Sequence, residues 1–178
     1  MKILSFIKRT IIILLLILFA FILQNTFSLY MRSFSIIPNF LIILTCIFGY
    51  MNGKTEGMFI GFVAGLLVDI LAADVIGMNA LLYLYVGYFS GIFNRLFYSD
   101  MIWLPLSIIG IGDFIYNFGY YVIRFVLRNK LDVTFYMKNI MIPELIFTVF
   151  AGFILFKLLY AINTKWLYKE RRSTLNFD

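Results

Sequence analysis

The sequence predicts an all-α membrane protein, a compact bundle of about six transmembrane helices, and three observations carry that prediction. Of 178 residues, 63% are hydrophobic and 13% charged, with a mean hydropathy of +0.96. Soluble domains are about half apolar and about a quarter charged. Several apolar runs of roughly 18 residues or more carry no charge, which is enough to cross hydrocarbon as helices. A transmembrane barrel would instead show alternating segments of about ten residues, and the sequence contains none.

Taken in order, the spans are expected at residues 10–27, 38–51, 57–73, 75–97, 105–127 and 143–163 of a single integral membrane domain. The first follows Lys2, Lys8 and Arg9 and resembles a signal peptide. No small-x-small cleavage site comes after it, so it is expected to stay as an anchor. Pro38, Pro105 and Pro143 each stand at the head of an apolar run, where a missing N–H costs nothing. The second and third spans are short and joined by NGKTE, the pattern of a helical hairpin. Residues 72–77 join the third span closely to the fourth. The stretch 164–178 reads as a basic cytoplasmic tail, with Trp166 and Tyr168 as interfacial anchors.

Lysine and arginine set the expected orientation. With both termini cytoplasmic, the inner side holds Lys2, Lys8, Arg9, Lys54, Arg95, Lys165, Lys169, Arg171 and Arg172. The outer side holds Arg32, Arg128, Lys130 and Lys138, with Arg124 near the end of the fifth span. The excess favours both ends inside. The net charge of +6 lies at loops and ends, where topology and anionic headgroups account for it without nucleic acid.

The chain has no histidine and one cysteine, Cys46. That excludes an internal disulfide and the usual zinc or thiolate clusters. Cys46, inside an apolar run, reads as a small apolar filler. No Gly-x-Ser-x-Gly elbow, phosphate loop or paired carboxylates occur, so neither an enzyme nor a bound cofactor is expected.

Two constellations remain. Gly57, Gly61, Gly65 and Asp69 recur every four residues in the third span, continuing a series from Gly49 and Gly53. Each step drifts about 40° around a helix axis, so the four form a slowly winding seam. Such a seam admits a neighbouring helix closely, from the same bundle or from a partner protein. Asp69, costly beside hydrocarbon, needs a partner of its own. In the fifth span, Asp113, Asn117, Tyr120 and Arg124 fall on one face. They would line a polar cavity, or join an interhelical hydrogen-bond network that could include Asp69. Glu144, following Pro143, is expected in a first helical turn, where the helix dipole favours a carboxylate.

At PNFLIILTCIFGYMNGKTEGMFIGFVAGLLVDILAADVIGMNALLYLYVGYFSG the chain resembles the bacterial rod shape-determining protein MreD family. The pattern is a proline-led helix, a short turn, G-x-x-x-G-F-x-x-G-L-x-x-D, then a helix opening G-M-N-A-L. It falls on Gly57, Gly61, Phe62, Gly65, Leu66, Asp69, Gly77 and Ala80. The resemblance implies a non-enzymatic scaffold of the bacterial cytoplasmic membrane serving cell-wall elongation. It would bind an MreC-type membrane protein and work with MreB and the elongation glycosyltransferase-transpeptidase pair. It also implies a fold similar to the S component of energy-coupling-factor vitamin transporters, which supplies a rival reading. S components dock through alanines four apart in the first helix, whereas TIIILLLILFAFIL is bulky at nearly every step and has no such pair.

Overall fold

The computed structural model describes residues 2–30, 37–72, 76–96, 102–123 and 133–175. Every element among them is helical: α1 (Lys2–Tyr30), α2 (Phe40–Asn52), α3 (Lys54–Ala72), α4 (Met78–Ile92), α5 (Trp103–Tyr121), α6 (Val133–Tyr136) and α7 (Ile142–Leu175). A 3-10 turn, Phe93–Leu96, continues α4, and a π segment, Met137–Met141, joins α6 to α7.

The centre is α2. Its sequence, FLIILTCIFGYMN, has no charge and no polar face, and eleven of its thirteen residues are buried. A helix apolar all round needs neighbours all round, and α1, α3, α4, α5 and α7 all pack against it. Cys46 lies in this core, opposite Gly112 of α5, as an apolar filler would.

At 1.5 Å per residue, α2 and α4 are only about 20 and 22 Å long, short of a hydrocarbon core of roughly 30 Å. Among the described residues two stretches, Ile7–Leu29 and Met137–Ala161, are long and apolar enough to cross a membrane unaided. The expectation of six such stretches is therefore narrowed, for a geometric reason. Of the short helices, α2 begins inside the bundle, and the apolar runs of α3 and α5 are broken by the interior residues Asp69, Asp113 and Asn117.

A helix that begins inside must satisfy its free N–H groups with protein. For α2 the accounting closes. The N–H of Asn39 donates to Thr148 Oγ1 at 3.1 Å, Leu41 to Gln24 Oε1 at 3.4 Å and Ile42 to Asn39 Oδ1 at 3.2 Å. The N–H groups of Phe40 and Ile43 reach the carbonyls of Pro38 and Asn39.

Pro38 and Pro105 stand at helix starts as expected, whereas Pro143 does not. Pro38 precedes the N-cap Asn39, and Pro105 falls in the third position of α5. Pro143 heads no free helix end, because helical backbone already runs from Val133 through the π segment. A π turn shifts the hydrogen-bond register, and so absorbs the donor that proline lacks. Glu144 lies in the first turn of α7, as expected, with helical backbone continuing before it rather than an open helix end.

The core is mainly apolar, but it also encloses polar side chains while large apolar ones cover the outside. Asn39, Thr45, Asp69, Asn79, Ser90, Asp113, Asn117 and Thr148 are buried, while Ile11, Leu15, Phe19, Phe62, Trp103 and Phe150 face outward. Apolar solvent outside and hydrogen-bonded polar groups inside are what a bilayer imposes.

Candidate functional site

The tightest packing joins α3 to α4, and the glycine seam makes it possible. A Cβ at Gly57 would collide with the Gly87 carbonyl, and one at Gly61 with that of Tyr83. At Gly65 it would come within 2.5 Å of the Ala80 Cα. Gly87 and Gly91 return the contact from α4, against the backbone of Gly57 and Lys54. Gly49 of α2 abuts the Gly87 carbonyl as well. Among the described residues the seam is thus filled by α4 of the same chain.

Asp69 ends the seam, and α4 takes up both of its oxygens. Oδ1 accepts from the Asn79 N–H at 3.1 Å and the Asn79 Nδ2 at 2.9 Å. Oδ2 accepts from the N–H groups of Gly77 at 3.0 Å and Ala80 at 2.9 Å. The residue is 1% exposed. A carboxylate on the first free N–H groups of a helix also meets the positive end of its dipole. Asp69 therefore caps a helix that it does not belong to. Gly77, at φ +96°, supplies the left-handed turn that aims those N–H groups at it.

From Asn79 the network runs on. Tyr116 of α5 donates its hydroxyl to Asn79 Oδ1 at 3.0 Å, and its ring meets that of Tyr83 edge-on, centroids 5.0 Å apart. The Tyr83 hydroxyl donates to Asn39 Oδ1 at 2.9 Å, which returns the network to the cap of α2. Asn39, Asn79, Tyr83, Tyr116 and Thr148 were not singled out by sequence spacing. The available signal was positional, since Asn39 follows Pro38 before an apolar run and Asn79 sits in the GMNAL opening.

The α5 stripe is divided. Asp113 and Asn117 are fully buried, and Asn117 Nδ2 donates to the Asp113 main-chain carbonyl at 3.1 Å. Tyr120 is partly exposed, its ring 6.0 Å from that of Tyr116. Arg124 lies outside the described residues. Asp69 is joined to α5 through Asn79 and Tyr116 rather than through Asp113. A groove of about 480 Å³ lies between α5 and α7, lined by Ile102, Trp103, Leu106, Ile146, Val149, Phe150 and Phe153. It is apolar.

Among the described residues the fold is all-helical, its interior polar groups joining one helix to the next, with two helices long and apolar enough to cross a membrane. Residues 4–171 match the family model described as rod shape-determining protein MreD, and the chain belongs to that family. Membership gives it a role in rod shape determination as a membrane protein. No curated protein and no solved structure matches the chain.

Proposed function

We propose that this chain is a non-enzymatic scaffold of the cell-wall elongation machinery that binds an MreC-type membrane protein and helps regulate peptidoglycan synthesis. It crosses the bacterial cytoplasmic membrane several times, with both termini cytoplasmic. MreB and the elongation glycosyltransferase-transpeptidase pair are its wider partners. The observation that carries the scaffold reading is the commitment of Asp69. All its described bonds go to α4, so the most conspicuous carboxylate in the seam holds helices and is not available for chemistry.

With the seam occupied by α4, the partner's helix must use an outward apolar face. The groove between α5 and α7, around Trp103, Phe150 and Phe153, is the first candidate. The test is to tag the chain at its native level, extract it in mild detergent and identify co-purifying proteins by mass spectrometry. Recovery of an MreC-type protein with wall-elongation enzymes is expected. Recovery of a transmembrane coupling subunit with paired ATPases would instead assign the S-component function.

A further inference from the structure

The stripe of α7 that lines the outer groove ends in a cation. Ile146, Phe150, Phe153 and Lys157 follow one another at steps of 4, 3 and 4, which places them on one face of the helix. The first three line the groove against α5, and the Lys157 ammonium lies over the Phe153 ring, 4.4 Å from its centroid. Lys157 is exposed, and among the described residues no carboxylate pairs with it.

The two helices give the groove a direction. Gly110 faces Val149 and Gly152 faces Ile109, so α5 runs antiparallel to α7. The first turn of α5 therefore lies toward the Lys157 end, and its Trp103 is 83% exposed. Lysine and tryptophan together at one end of apolar helices mark the level where hydrocarbon gives way to headgroups. Lys157 stands four residues before the end of the stretch Met137–Ala161, roughly 6 Å, and reaches that level by extending its side chain. From Lys157 to Ile146 is eleven residues, roughly 16 Å, close to one leaflet of a hydrocarbon core of about 30 Å. The trough has the length of one leaflet's acyl chain, with a cation where the headgroup would sit.

We propose that the α5–α7 groove binds one anionic phospholipid, its acyl chain along Phe150 and Phe153 and its phosphate at the Lys157 ammonium. Basic residues beside clefts between membrane helices hold such headgroups. A zwitterionic headgroup brings its own cation toward Lys157 and gains less. The site goes beyond the scaffold reading and does not rest on it, since lipid binding needs no partner. A partner's helix entering this groove would have to displace the lipid, so the lipid would compete with assembly.

The test uses the full chain in detergent with Trp166→Phe, which leaves Trp103 as its one tryptophan. Lipids with brominated acyl chains quench tryptophan fluorescence on contact. Brominated phosphatidylglycerol is expected to quench Trp103 saturably, at a concentration about fivefold lower than brominated phosphatidylcholine. Lys157→Gln should erase that preference and Lys157→Arg should keep it, with Tm reporting that both variants fold. Without any change at Lys157, the preference should shrink as salt rises to 1 M, where the screening length is about 3 Å. Equal quenching by the two lipids would overturn the site and leave ordinary annular lipid. A preference that survives Lys157→Gln, or that salt does not weaken, would overturn it too, because the headgroup would be read elsewhere. No quenching by either lipid would overturn it in favour of a protein helix in the groove, from a second copy or a partner.

Discussion

Asp69 of α3 and Asn79 of α4 meet twice at one oxygen, Oδ1, through the Asn79 backbone N–H and its side-chain amide. Asn79 is thereby both a donor to the cap and, through its own oxygen, the acceptor for Tyr116. One contact fixes where α4 starts and where α5 lies against it.

Removing the cap should therefore be costly. Asp69→Ala leaves the N–H groups of Gly77, Asn79 and Ala80 buried and unpaired, an expected loss of about 3 kcal/mol. In detergent this should appear as a Tm lower by roughly 10 °C. Asp69→Asn keeps one acceptor oxygen and should lose about half as much.

Tyr116→Phe removes one hydroxyl and strands Asn79 Oδ1, at an expected cost of about 1–2 kcal/mol. A double-mutant cycle with Asn79→Ala, read by Tm, should give a coupling energy of similar size. Additive effects would mean that the 3.0 Å contact contributes nothing.

Much of this was legible in the sequence because membrane helices expose their constraints. The four-residue glycine step could only mean close approach, and Asp69 beside it could only mean a polar partner. Which helix fills the seam was not legible. Gly57, Gly61 and Gly65 would serve a partner's helix as well as α4, and only the positions of Tyr83 and Gly87 decide. Asn39 and Tyr83, 44 residues apart, could not be paired by spacing along one helix. The π segment before Pro143 was hidden too, because proline at the head of an apolar run usually begins a helix.

Alanine at two glycines should separate packing from propensity. Gly87→Ala would drive a methyl into the Gly57 backbone, at a cost of about 3 kcal/mol or more, visible as lost membrane abundance. At Gly110 a Cβ would meet only Val149 Cγ2, at 3.4 Å. Gly110→Ala should be neutral or raise stability by up to about 1 kcal/mol, because alanine is the better helix former.

Arg9 and Glu56 form an ion pair at 2.7 Å, at the hydrophilic end of the bundle. Burial raises the Glu56 carboxyl above its ordinary value, and Arg9 offsets part of that rise. A raised folded-state pKa means that the stability contribution is full below the unfolded pKa and is lost as pH rises through the folded one. Glu56→Gln should therefore leave Tm unchanged or slightly higher at pH 7, within about 0.5 kcal/mol. Its advantage should fade on acidification, as melting curves between pH 7 and pH 4 would record.

The central claim is that the glycine seam belongs to the chain's own α3–α4 pair. The most direct measurement is the membrane abundance and detergent Tm of Gly61→Leu in cells that lack the proposed MreC-type partner. Leucine there would strike the Tyr83 backbone, so abundance should fall several-fold even with no partner to lose. Normal abundance and an unchanged Tm, with partner recovery lost only where that partner is present, would contradict the account and place the seam on another protein's helix.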